Sequence, residues 1–277
     1  MVEPVVTRFA PSPTGPLHLG HAFSALTAFE RASPGHFLLR IEDIDRDRCR
    51  TAWEAAIFDD LAWLGVTWPR PVMRQSERSF AYAQALDKLA TMGLTYACQC
   101  TRADIRAALS APQEGAPGPD GPVYPGICRG RNLPAEGAAI RLDMARAMAL
   151  TGPLAFTDSG AEHPGRHIRD ARHMVETVGD VVLARRGWGS SYHLAVVVDD
   201  AAQGVTEVTR GADLFDATPI HVLLQRLLDL PTPAYHHHRL IRDDQGKRLA
   251  KRDDARALSK YRAEGATPQD IRRMVGL

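Results

Sequence analysis

The stretch from Val5 to Asp45 sets the tightest limit on what this chain can fold into. VVTRFAP carries β-branched and apolar residues and ends at Pro11, with Pro13 close behind; neither proline can donate to a sheet ladder, so a short strand is predicted. Leu19, Ala22, Phe23, Leu26 and Phe29 then recur at helical spacing, which predicts a helix from near Gly20 to a stop before Pro34 and Gly35. HFLLRIEDID reads as a buried strand running into acids. Strand, glycine-containing turn, helix and strand, in that order, make the βαβ unit of a parallel sheet.

Further along, Trp53 to Leu64 and Ser79 to Met92 predict two amphipathic helices, the second capped by Ser76 and Glu77 and stopped by Gly93. Residues 110–126, SAPQEGAPGPDGPVYPG, hold too much proline and glycine for regular structure and predict a surface loop. From Ile140 to Arg186 the pattern is weak. It sharpens at YHLAVVVDD, Tyr192 to Asp200, expected to be a continuous apolar strand, then at VTEVTRGADL, and then at the helix PIHVLLQRLLDL ended by Pro231. Two α/β portions therefore flank a different middle, and the expected division is 1–95, an inserted 96–188, 189–235, and a C-terminal segment 236–277.

The 277 residues are 44 % hydrophobic and 24 % charged, an ordinary globular balance. Their 34 basic and 33 acidic residues give a net charge of +1, so any nucleic-acid surface has to be a local patch. The start MVEPVV has no basic region followed by an apolar one, and no run of about 18 apolar residues occurs, which predicts a cytoplasmic protein without a membrane segment.

Chemistry concentrates in RFAPSPTGPLHLGHAF, Arg8 to Phe23. The turn after a first parallel strand is where a phosphate meets a helix N-terminus, and Gly15 and Gly20 permit close backbone approach there. His18 and His21 are three apart, so on a helix they share one face and can converge on a phosphate whose charge changes during reaction. Three of the four cysteines fall between Cys98 and Cys128, too few for a disulfide scaffold and pointing toward metal; Cys49 looks incidental. His236, His237 and His238 are adjacent, would point to opposite faces of a strand, and read as a strand end.

RFAPSPTGPLHLGH resembles the first signature of the class I aminoacyl-tRNA synthetases, in their glutamyl/glutaminyl branch. GKRLAKRDDA, Gly246 to Ala255, resembles the lysine-containing second signature, with Arg248 for its first lysine, Ala250 for its serine and Lys251 at its second lysine. The resemblance implies a Rossmann-like parallel α/β sheet with an inserted zinc-containing subdomain, a short C-terminal helical part and no anticodon-binding domain. It implies His18, His21 and Lys251 as catalytic groups, and ATP held by Pro11, Ser12, Gly15, His18, Gly20, His21, Arg248, Leu249 and Lys251, with Mg²⁺ on the leaving phosphates. It implies a glutamate pocket of Arg8, Phe9, Ala10, Pro11, Ser12, Glu42, Tyr192 and Arg210, in which Glu42 takes the α-ammonium and the two arginines take carboxylates. It also implies structural Zn²⁺ on Cys98, Cys100, Tyr124 and Cys128, with a histidine as the alternative to Tyr124.

The resemblance runs from Arg8 to about Ala255, leaving no room for the helical region with which full-length members read the anticodon. The branch it fits attaches L-glutamate to queuosine in the anticodon loop of tRNA(Asp), and Arg210-Gly211-Ala212-Asp213 followed by Leu214 looks like that branch. A monomer is expected, working on L-glutamate, ATP and queuosine-bearing tRNA(Asp), with Arg129, Arg131, Arg185 and Arg186 as candidate RNA contacts. The alternatives are a short synthetase charging the 3′ end of tRNA(Glu), a non-catalytic synthetase-like binding protein, and a nucleotidyltransferase that adenylylates another acid.

Overall fold

The structure is a computed structural model and describes residues 3–109, 117–119, 121–242 and 256–277. The chain begins as the expected βαβ unit: β1 (Thr7–Phe9), α1 (Leu19–Arg31) and β2 (Phe37–Ile41), with β1 and β2 parallel and Arg8 opposite Leu38. After α2 (Thr51–Trp63), β3 (Met73–Arg74) adds in parallel to β2. Ala22, Ala25 and Leu26 of α1 pack with Leu39, Ile41 and Leu61 in one core.

Next come α3 (Ser79–Thr91), β4 (Thr95–Cys98), α4 (Arg102–Leu109), β5 (Pro117–Gly118), β6 (Gly121–Pro122), β7 (Ala139–Leu142), α5 (Met144–Thr151), β8 (Leu154–Asp158), β9 (Gly165–Arg169), the single turn α6 (Ala171–His173) and β10 (Val182–Ala184). β7 runs antiparallel to both β4 and β10. Then α7 (Tyr192–Ala202), β11 (Glu207–Gly211), α8 (Thr218–Leu228) and β12 (Ala234–His238) complete the second α/β portion, and α9 (Leu258–Ala263) and α10 (Pro268–Val275) follow. β11, β12 and β8 are parallel neighbours in that order, with β9 antiparallel on β8. Val6 accepts from the N–H groups of Thr206 and Glu207, which places β1 beside β11 and joins the two α/β portions. β8 and β9, inside the 96–188 stretch, are thus continuous with the sheet of β11 and β12.

Four local expectations are corrected. Tyr192 to Asp200 is helix, not strand: Ser191 caps α7 by accepting from Leu194 N–H, and a helix buried on nearly every side can be apolar all round. The helix at Ser79 is not capped by Ser76, whose hydroxyl and N–H are both taken by Asp43. The loop after residue 109 has some regular structure where it is described, a ladder between β5 and β6. α1 starts near Gly20 as expected, at Leu19, but His18 is its N-cap and not a residue of its face.

Candidate active site and cysteine cluster

A cavity of about 540 Å³ lies where β1, β2, β11 and β12 end: Arg8, Phe9 and Ala10 enter from β1, Glu42 from β2, Arg210 from β11 and His238 from β12. The C-terminal edge of parallel strands is where an α/β sheet offers side chains to a ligand. His18, Gly20 and His21 line it from the start of α1 and Tyr192 from the start of α7. Pro11, Ser12 and Gly15 are outside its lining; Pro11 instead fixes the pocket by accepting from Glu42 N–H. Arg248, Leu249 and Lys251 lie outside the described residues. The chain on either side of them reaches the site: Ile241 lines the cavity and Ala257 forms a β-bridge with His18.

The two histidines organise each other. His18 Nδ1 accepts from Gly20 N–H at 3.1 Å, and His21 Nδ1 accepts from His18 N–H at 3.2 Å. A neutral imidazole that accepts at Nδ1 carries its proton on Nε2, so both rings, 3.8 Å apart between centroids, are held as Nε2–H donors at a helix N-terminus. Such an arrangement stabilises charge developing on a phosphate.

The floor is a buried charge network. Asp200 is gripped by Arg8, with Nε on Oδ1 at 3.0 Å and Nη2 on Oδ2 at 3.3 Å, and by Arg40 Nη1 at 2.7 Å. Arg40 is 0 % exposed and also donates to Glu42 and to Gln203. Burial pushes the Asp200 carboxyl up, but Arg8 and Arg40 overcome it and hold Asp200 below the usual carboxylate range. For Glu42 burial prevails over Arg40 and Arg8, and its carboxyl sits above that range. Arg40 and Asp200 were missed in the sequence; because their charges cancel, the count of one acid and two arginines survives them. The sequence signal was an arginine in the middle of an apolar strand and an Asp-Asp pair at the end of an apolar run.

Arg210 has its own cradle. Nε donates to His237 Nε2 at 3.0 Å, Nη1 to His221 Nδ1 at 2.9 Å and Nη2 to Thr218 Oγ1 at 2.7 Å. His237 Nδ1 meets Asp158 Oδ2, and His221 Nε2 meets His193 Nδ1 at 3.0 Å. Of the three adjacent histidines, therefore, His238 lines the cavity and His237 holds Arg210 from behind it.

The cysteines come together as expected. The Sγ atoms of Cys98, Cys100 and Cys128 all lie within 4.8 Å of one another, and Tyr124 Oη is 3.4 Å from both Cys98 and Cys100 Sγ. Two thiolates on a tetrahedral zinc with Zn–S near 2.3 Å sit about 3.8 Å apart, so the donor set fits that ion. No histidine joins the group among the described residues. Arg141 stacks on the Tyr124 ring at 3.8 Å. Of the candidate RNA contacts, Arg129 is tied to Asp180 and Arg186 to Cys100 O, while Arg185 lies over Trp188.

The parallel sheet and the histidine-lined cavity at its edge define a class I synthetase catalytic site. Residues 4–123 and 168–277 match the family described as tRNA synthetases class I (E and Q), catalytic domain, and the chain belongs to that family. It is 63 % identical over 281 residues, 99 % of this chain and 100 % of the relative, to the glutamyl-Q tRNA(Asp) synthetase of Rhodobacter capsulatus. A protein of the same name from Geobacter sulfurreducens is 42 % identical over 92 % of this chain and 78 % of its own. The crystal structure of a glutamate tRNA ligase from Elizabethkingia meningosepticum in complex with its amino acid superimposes with a TM-score of 0.79 at 28 % identity, covering 99 % of this chain. The chain spans only 61 % of that ligase's length.

Proposed function

We propose that this protein activates L-glutamate with ATP and transfers it to queuosine in the anticodon loop of tRNA(Asp), acting as a monomer. The observation that carries the reading is 63 % identity along the whole of a glutamyl-Q tRNA(Asp) synthetase. The convergence of Arg8, Glu42, Tyr192 and Arg210 on the cavity of the paired histidines supports it. A glutamate α-carboxylate oxygen attacks the α-phosphorus of ATP and pyrophosphate leaves; a queuosine hydroxyl then attacks the activated carbonyl and AMP leaves. No protein nucleophile is required. Glu42 orients the α-ammonium, Arg8 and Arg210 hold carboxylates, and the Nε2–H groups of His18 and His21, with Lys251, stabilise charge growing on phosphate.

Mg²⁺, when bound, neutralises the leaving phosphates. Cys98, Cys100, Cys128 and Tyr124 would hold Zn²⁺ as a structural ion, fastening the chain on either side of residues 110–116. The reading is tested by offering labelled glutamate and ATP to tRNA(Asp) with and without queuosine and to tRNA(Glu). Label on queuosine-bearing tRNA(Asp) alone is expected. Label on tRNA(Glu) instead would make the protein a short glutamate tRNA ligase, and no label on any tRNA would remove the transfer reading.

A further inference from the structure

We propose that Arg210 is aimed at its carboxylate by two neutral histidines locked in opposite tautomers, His237 carrying its proton on Nδ1 and His221 on Nε2. The inference deepens the reading of the cavity as a glutamate site and rests on it.

A guanidinium has five N–H donors and can accept nothing, so every partner of Arg210 must present a lone pair. His237 presents Nε2 and His221 presents Nδ1. Each ring's proton is thereby forced to the other nitrogen. On His237 that nitrogen meets Asp158 Oδ2; on His221 it meets His193 Nδ1, which then has to be the acceptor. Asp158 is fixed in turn, Oδ1 accepting from Gly160 N–H at 2.6 Å and from His237 N–H at 3.3 Å. Thr218 Oγ1 takes a third Arg210 donor and has Leu214 O within reach of its own proton. All of these side chains are buried. Three of the five Arg210 donors are committed in this way, leaving two, the number a bidentate carboxylate uses. These histidines do not touch substrate; they are positioning residues that fix where those two donors point.

The test replaces relay atoms while keeping their shapes. Asp158→Asn puts an amide donor against His237 Nδ1, turning the ring to its Nε2–H tautomer and setting donor against donor at Arg210. His221→Leu removes the acceptor, whereas His221→Gln restores both, its Oε1 facing Arg210 and its Nε2–H facing His193. With queuosine-bearing tRNA(Asp) and ATP saturating, D158N and H221L are expected to raise KM for glutamate about tenfold or more with kcat little changed, the signature of lost uniform binding, and H221Q to stay near wild type. A wild-type KM in both D158N and H221L, or H221Q as impaired as H221L, would overturn the proposal. ¹⁵N NMR of the histidine rings reads the tautomers without any substrate: opposite tautomers at His237 and His221 are expected, and like tautomers or an imidazolium would overturn it. Wild-type enzyme that activates no glutamate while its rings show the opposite tautomers would count against the glutamate site and not against the relay.

Discussion

Arg40 shows how much one buried side chain can carry. It joins Asp200 to Glu42 from a position with no exposure to water, and those two carboxylates stabilise its cationic form enough to raise its pKa against burial. Removing one partner of a buried ion pair typically costs about 3 to 5 kcal/mol, because the charge left behind has no water to return to. Arg40→Met is expected to lose stability on that scale in urea denaturation. Glu42 gives a pH prediction. The groups facing it are Arg40, Arg8 and Asp200, and its carboxyl lies above the ordinary range because burial outweighs the two arginines. If Glu42 takes the α-ammonium as proposed, protonation removes that charge, so KM for glutamate should rise as pH falls, beginning above about 4.3 where a free glutamate side chain titrates. Glu42→Gln should raise KM at neutral pH and remove the part of that acid limb that lies above the titration of the substrate's own side-chain carboxyl. At this scale the sequence displayed residues that line the cavity, since they sit in recognisable strings around Arg8, Glu42 and Arg210. It concealed those that hold them: nothing in HHH marks His237 as the member that faces Arg210, because burial and pairing come from strands far apart in the chain.

Among the elements, β1, β2 and β11 and the helices α1, α2, α3 and α8 were legible from period and punctuation, whereas the strands and helices between residues 95 and 186 were not, and α7 was read as a strand. Val196, Val197 and Val198 favour a strand by local preference, but the segment is enclosed by α3, α8 and β10 and its serine cap is in place, so tertiary burial decided for helix. The junction of β8 with β12 is tighter than any sequence pattern could reveal. A Cβ on Gly160 would stand 2.0 Å from His237 O, so the chain can pass there only without a side chain. Gly160→Ala should force β8 from β12, shifting Asp158 and His237 together. Overpacking of this kind costs about 1 to 3 kcal/mol, and here a lower melting temperature should come with a raised KM for glutamate.

For the molecule as a whole, the cysteine cluster and the cavity share no residue. Zinc content measured by elemental analysis should therefore fall in Cys128→Ser, and chelation should lower the melting temperature, while KM for glutamate stays within about twofold of wild type because uniform binding at the cavity is untouched. The described residues contain no helix long and apolar enough to cross a membrane. The ion pair between Arg8 and Asp200 spans 192 positions of sequence, and His18 meets Ala257. Contacts that distant close late, since the loop between them must be ordered first. During synthesis β1 can pair with β2 early, but Arg8 has no carboxylate until α7 emerges and His18 no bridge until Ala257 does. A nascent chain would thus carry both histidines of its first signature long before their cavity is complete, since Arg8 waits for Asp200 and His18 for Ala257, and the cavity could assemble only once those later segments emerge.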